Sequence, residues 1–539
     1  MRTIFLSYSI LARLAAILAC VVGLPACAAD PTDAASEDLT SASGKEVKVS
    51  WQSFVYAAPT DSDATIRTLV QRQVKSAIGA LRKPEVGLQD RDAQSNLDPA
   101  KWTREPLDVI DPTTKQKVGT TVRVRYPYVD VGLVKKKWTA TTLQVPLLFG
   151  DWAQKAAALK PACSDDQKTD PGSLWFHFTP SQAACVARIA AETTALNAAG
   201  KGLDPARQVS TADLARDFVT VRATIQPAKV PPVKFPESDR LWGFGTDRTL
   251  LVVYAFFGVD ADERDPNDVS LIEHMRFWRT LKTRWPGLQV TKTEPHALLL
   301  DFDVGGVPTT ATYDDVFRWV LDGTGFPGKA ATDAGVKAAL LQQVIDKFAE
   351  RWIWWELPVR VTLGTQQRTM TLQVRSFWGH EDGKPEWRQA ARNRYLEAMW
   401  HGDVFLYQGH SHFGHGPLEP TGYAAANWPN RYQVMLVNSC VSFNYYDVDF
   451  LQMHPGGSKN LDVVVNGLPA FWTKLGEASA NLVIGLADGT GKSWSQVLQG
   501  MVVKPSWAPM GYDPLRAVNG ELDNVFDPAK TKLGVTVLR

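Results

Sequence analysis

A thiol and an imidazole, Cys440 and His410, stand 30 residues apart, each just past a short apolar run and inside a turn of small polar residues. The first turn reads Tyr407-Gln408-Gly409-His410-Ser411-His412-Phe413-Gly414-His415-Gly416, and the second reads Asn438-Ser439-Cys440-Val441-Ser442. A cysteine attacks as the thiolate and is mostly protonated near neutral pH, so it needs a neighbouring base; a histidine takes that proton and later returns it to the leaving group. Backbone N–H groups in the two turns, those of Ser411 and Cys440, are placed to hold the oxyanion of an acyl-transfer intermediate. Gly409 and Ser439 support the turns, glycine because it accepts dihedrals that other residues resist. This is the minimal set for a cysteine hydrolase, and it calls for no cofactor.

Two strands must position these side chains. Residues 404–407 (Val-Phe-Leu-Tyr) and 434–437 (Val-Met-Leu-Val) are apolar runs without alternation, the pattern of parallel strands covered on both faces. A helix precedes the first, with Trp387, Ala391, Tyr395, Leu396 and Met399 on one stripe and Gly402 as its stop. Parallel neighbours fed by crossovers end on one edge of the sheet, where open α/β sheets bind their ligands. His410 and Cys440 are thus expected at one crevice.

An apolar strand ending in His, followed by one ending in a small residue and Cys, resembles the caspase-like superfamily of cysteine peptidases. Tyr407-Gln408-Gly409-His410 is similar to the separase-type histidine block, and residues 434–446 to the gingipain cysteine block with its aromatic tail. The resemblance spans roughly residues 369–489. It implies an endopeptidase acting on a polypeptide substrate, with Cys440 as nucleophile, His410 as acid and base, and the N–H after the histidine in the oxyanion hole. Where the family has glycine after the histidine, this chain has Ser411. One alternative is a surface lipoprotein whose caspase-like domain is inactive.

A second alternative uses the same turn. His410, His412 and His415 resemble the His-x-His-x-Asp-His signature of metallo-β-lactamase-fold hydrolases, whose imidazoles share zinc. The Asp position of that signature is Gly414 here, so the primary reading assigns no metal.

The N-terminus carries Arg2 and Arg13, then an apolar run over 14–24, then Pro25-Ala26-Cys27-Ala28-Ala29. The run is too short to cross a bilayer and reads as a secretory signal. Leu24-Pro25-Ala26-Cys27 further resembles a bacterial lipoprotein box, in which Cys27 would be lipidated; cleavage after Ala28 is the alternative. The expected location is outside the cytoplasm, lipid-anchored at the cell envelope or secreted. Of five cysteines, Cys20 and Cys27 lie in the signal region, and Cys163 and Cys185 can close a local disulfide, which leaves Cys440 odd. A nucleophile is one explanation for an odd cysteine in an exported chain; a buried inert thiol is the other.

At 539 residues the chain is too long for one core. Lys+Arg of 58 against Asp+Glu of 57 gives nothing to drive nucleic-acid binding. The expected order is a signal over 1–29, a flexible tether over 30–46, an α+β domain over 47–225, a Pro-rich linker over 226–239, an α/β region over 240–365, and a caspase-like region over 366–539. In the first domain, Ile66, Val70, Val74, Ile78 and Leu81 mark a helix capped at residues 61–63, and residues 122–128 alternate as a strand. Residues 174–178 read as a strand that makes His177 structural. In the second half, strands over 250–257 and 297–302 alternate with helices over 269–285, 313–321 and 335–355. A hairpin over 359–377, a strand over 461–465 and a helix over 470–486 complete it. The fold class is therefore α/β, a mostly parallel sheet sandwiched by helices, behind an α+β N-terminal domain. Trp352-Ile353-Trp354-Trp355 reads as core at helical spacing, and Asp301 and Asp303 as solvated strand-end carboxylates.

Overall fold

The expected parallel strands form the centre of a ten-stranded sheet in the computed structural model, which describes residues 39–90, 96–259, 268–294, 298–327, 333–471 and 473–538. The signal, Cys27 and most of the expected tether lie outside these residues. Four neighbours run parallel to β1 (Leu250–Gly258) or to one another: β2 (Gln366–Gly379), β3 (Val404–Gln408), β4 (Gln433–Asn438) and β5 (Leu461–Asn466). Their order across the sheet is β2, β1, β3, β4, β5. An antiparallel strand, β6 (Arg516–Asn519), extends it beyond β5. Beyond β2 the antiparallel strands Arg351–Leu363 and Gln289–Glu294 finish the other side, with Leu533–Val537 paired on Arg351–Leu363.

Every residue of β3, β4 and β5 is buried, and successive residues feed different layers. Phe405, Tyr407, Met435 and Val437 face α3 (Pro385–His401), α4 (Ser442–Met453) and the N-terminal half. Val404, Leu406, Val434 and Leu436 face α2 (Val269–Arg284) and α5 (Leu475–Ala487). Two covered faces are why these runs show no polar alternation. The structure is thus mixed α/β, with a mostly parallel centre and antiparallel margins.

The N-terminal half is a seven-stranded mixed sheet built on the long antiparallel partners Gly44–Ala57 and Lys117–Lys135. Helix α1 (Asp63–Arg82) starts where expected: the Ser62 hydroxyl accepts from the Thr65 N–H, and Ile66, Val70, Val74 and Leu81 are buried. This sheet does not enclose a separate core. Val47, Val70 and Tyr126 belong to the same buried cluster as Tyr407, Met435 and Phe450.

Three local expectations are corrected. Residues 39–46, placed in the tether, are built into the fold: Thr40–Ser41 pairs with β6, and the Thr40 N–H donates to Glu521 Oε1 at 2.8 Å. Residues 174–178 are helical over Leu174–His177 rather than extended, and His177 Nδ1 lies 3.0 Å from Asp165 Oδ1. The helix expected over 335–355 ends at Phe348, and the Trp-rich run opens the strand Arg351–Leu363. Ile353, Trp355 and Leu357 point inward there, Trp355 stacked 3.9 Å from Trp278, while Trp352 and Trp354 are half-buried. Over four residues bulky aromatics satisfy a period of two as well as a helical spacing, so the local pattern does not distinguish the two.

Burial also creates a pH-dependent contribution to stability. Asp462 on β5 is fully buried, accepts from the Trp494 indole and the Asn524 amide, and contacts the Tyr432 hydroxyl. Burial pushes its carboxyl up to about 7. The folded state therefore holds a proton that the unfolded chain releases near 4. Its contribution is complete below that value and is lost as pH rises towards 7. Asp462→Asn should flatten this decline: in urea titrations from pH 5 to 8 the wild-type midpoint falls relative to the variant's. Parallel curves would refute the assignment.

Candidate active site at the carboxyl edge of the sheet

The register of β3 and β4 decides where the sequence-distant pair goes. Gln408 pairs with Asn438, and His410 and Cys440 each lie two residues further on, past the carboxyl ends of adjacent parallel strands. Strands so paired are about 4.8 Å apart, so the two turns share one edge.

On the histidine side, a Cβ on Gly409 would collide with the Glu381 carboxylate and stand 2.6 Å from the Tyr407 hydroxyl. Gly409 is needed for space; its φ is not among the left-handed ones. This corrects the expectation that it serves unusual dihedrals. The Tyr395 hydroxyl donates to Glu381 Oε2 at 2.9 Å. That of Tyr407 sits between Glu381 Oε1 (2.9 Å) and the His410 carbonyl (2.6 Å). The Tyr446 hydroxyl, from α4, donates to the Ser411 carbonyl at 2.7 Å. These bonds fix the backbone of the turn and leave the His410 residue exposed. Glu381, on the loop after β2, is a buried carboxylate beneath this turn that residue type and spacing alone do not single out. It carries no periodic signal, and only its place just past a strand end marks it.

On the cysteine side, a lattice of small side chains holds the turn. The Ser442 hydroxyl donates to the Val437 carbonyl at 2.7 Å and accepts from the Asn466 N–H at 2.8 Å. The Asn466 amide donates to the Ser439 carbonyl (3.1 Å) and to Asn438 Oδ1 (3.0 Å). The buried Arg516 guanidinium donates to the same Asn438 oxygen at 3.3 Å. Within this frame Val441 adopts φ 44°, ψ 37°, a left-handed conformation that costs a β-branched residue about 1–3 kcal/mol. The strained residue directly follows Cys440 and turns the chain into α4, so the thiol sits just before a helix N-terminus.

Cys440 is free and partly buried. Its thiol donates to the Ala470 carbonyl at 3.5 Å and not to an imidazole. Burial pushes the thiol up, opposed by that bond and by the Arg82 cation. At rest it is therefore a thiol at neutral pH. Alkylation of Cys440 by iodoacetamide is expected to rise with pH and to be climbing still above pH 9, past the ordinary thiol range of about 8.5. A rate that levels off below pH 8, followed by mass spectrometry of the Cys440 peptide, would contradict this resting state.

The remaining histidines of the turn point to other partners. His412 and Phe413 both have left-handed φ values, 47° and 52°. The His412 ring is 5.8 Å from that of His410, with Nδ1 3.2 Å from Asp382 and Nε2 3.6 Å from Glu381. His415 Nδ1 lies 3.4 Å from Glu419. Among the described residues no three His, Cys, Asp or Glu side chains gather as a metal ion requires, so nothing in the geometry favours the zinc alternative on His410, His412 and His415.

The N-terminal half borders the site. Phe413 packs edge-on against Trp175 (5.4 Å) and Phe176 (5.1 Å), and Arg82 lies over Phe176. The Asn444 amide of α4 donates to the Asp90 carbonyl at 2.9 Å, and Gln89 donates to Asp447 at 2.7 Å. Cys163 and Cys185 form the expected disulfide in this half. Asp301 and Asp303 lie elsewhere, on an exposed hairpin, accepting from Thr310 and Gly306. Among the described residues no helix is long and apolar enough to cross a membrane. No family model, no curated protein and no solved structure matches this chain.

Proposed function

We propose that this chain is an exported cysteine hydrolase of caspase-like architecture, an endopeptidase in which Cys440 is the nucleophile and His410 the acid and base. The observation that carries the reading is the matched register: His410 and Cys440 each stand two residues past a paired position on adjacent parallel strands. A peptide carbonyl entering between the turns displaces the thiol from Ala470. The imidazole takes the thiol proton, and sulfur bonds to the carbonyl carbon. The N–H groups of Ser411 and Cys440 hold the oxyanion; among the described residues neither is engaged by a protein acceptor. His410 then protonates the leaving amine as the C–N bond breaks, and a water deprotonated by the same imidazole cleaves the thioester. The Cys163–Cys185 disulfide agrees with an oxidising compartment, and a signal cleaved before a lipidated Cys27, or after Ala28, supplies the export route.

The resting bond from the thiol to Ala470 favours one other reading, a surface lipoprotein with an inactive caspase-like domain. One experiment separates them. The mature chain is recovered from envelope and medium fractions and profiled against a peptide library, beside Cys440→Ala. Cleavage lost in the variant supports the peptidase; intact folded protein with no Cys440-dependent cleavage supports the scaffold, and absence from both fractions sinks export.

A further inference from the structure

The loops after β5 and before β6 carry rings that the chemistry above leaves unused. Phe471 and Trp507 are 53% and 51% exposed, and Met510 on the same loop is 93% exposed. The rings of Phe471, Trp507 and Tyr512 form one edge-to-face group, with centroids 4.9 to 5.4 Å apart. Such a group normally buries its area, and left in water it marks a binding surface. It is also built rather than loose: the Tyr512 N–H donates to the Val503 carbonyl at 2.7 Å, and the Tyr512 hydroxyl donates to the Pro469 carbonyl.

This wall is continuous with the nucleophile. Ala470, whose carbonyl accepts the Cys440 thiol, directly precedes Phe471, and Tyr512 lies within electrostatic range of that sulfur. The nearest carboxylate on the loop, Asp513, is turned inward, accepting from the Ser43 hydroxyl (2.6 Å) and the Arg516 N–H (2.8 Å). The loop itself therefore offers apolar and aromatic atoms on this side of Cys440, while the charges that act on the sulfur and on Tyr512 from the N-terminal half are Arg82 and Glu85.

We infer that Phe471, Trp507 and Tyr512 form the pocket wall for a large apolar side chain of the polypeptide substrate, aromatic or long aliphatic, within about three residues of the scissile bond. An extended chain advances about 3.3 Å per residue, so a wall starting one residue from the thiol's acceptor is reached over that span. The inference rests on Cys440 as the reacting atom only for where the scissile bond lies.

The test is binding without turnover. Full-length mature Cys440→Ala protein is titrated by fluorescence anisotropy with labelled hexapeptides bearing Phe, Leu, Glu or Lys in an alanine background. Phe and Leu peptides should bind at least tenfold tighter than the Glu peptide. Adding Trp507→Ala, or separately Phe471→Ala, should bring the ratio to within twofold while the thermal unfolding midpoint is kept. Equal affinities for all four peptides, or a preference that survives both substitutions, overturns the inference. So does a wall that serves instead to join two copies or to hold phosphatidylglycerol vesicles, read by light scattering and flotation as an association lost in Trp507→Ala with no peptide preference. An apolar preference without any Cys440-dependent cleavage would keep the pocket and remove the hydrolase.

Discussion

On the proposed mechanism, Cys440→Ala is expected to lower kcat/KM for the best library peptide by on the order of 10⁴-fold or more, because the covalent route through the thioester would disappear with the sulfur. His410→Ala is expected to cost about 10²- to 10⁴-fold, the usual contribution of a positioned acid and base. The double variant should be no worse than the cysteine variant alone, since the two groups act as one unit. The resting geometry makes the histidine's effect large. The thiol is held protonated by burial and given to the Ala470 carbonyl, so without a base only a small thiolate fraction can attack at neutral pH. Steady-state cleavage of one fluorogenic peptide by the three variants reads this out. Retained cleavage in Cys440→Ala would sink the mechanism. Loss confined to His412→Ala, with metal released, would instead favour zinc.

Gly476→Ala should destabilise the fold by about 3 kcal/mol or more. Gly476 is the second residue of α5, where that helix crosses α2. A Cβ there would run into the Glu273 carbonyl oxygen and lie 2.8 Å from its carbon and 3.1 Å from the Phe277 nitrogen. These are backbone atoms of a buried helix, so no side chain can swing aside. Separating the helices would also break the capping of α5, whose Lys474 and Gly476 N–H groups donate to the buried Glu273 carboxylate at 2.9 and 2.8 Å. Ser479 on the same helix accepts from the Asn438 amide at the end of β4, so cleavage should fall along with stability. Urea denaturation is the measurement, with Gly119→Ala as control, since a Cβ there meets nothing within 4 Å. An unchanged midpoint for Gly476→Ala would show that the crossing is looser than described.

Much of the site's scaffold could be read without coordinates. The continuous apolar runs of β3 and β4 and the stripe of α3 are local patterns, and local patterns report burial directly. The Cys163–Cys185 pairing followed from counting cysteines. Other features depended on partners far away in the chain. Trp352 to Trp355 could have been helix or strand, and pairing with β2 made them strand. Thr40–Ser41 reads as polar linker until β6 supplies its partner.

The amino-acid order alone determined that a histidine and a lone cysteine follow two doubly buried strands, because an unbroken apolar run has few other folded solutions. Tertiary structure alone decided that those strands are neighbours in matched register, that Glu381 lies beneath Gly409, and that the resting thiol bonds to Ala470. Each of these is a contact between segments some 30 residues apart, and no local preference encodes which distant group will fill a given space.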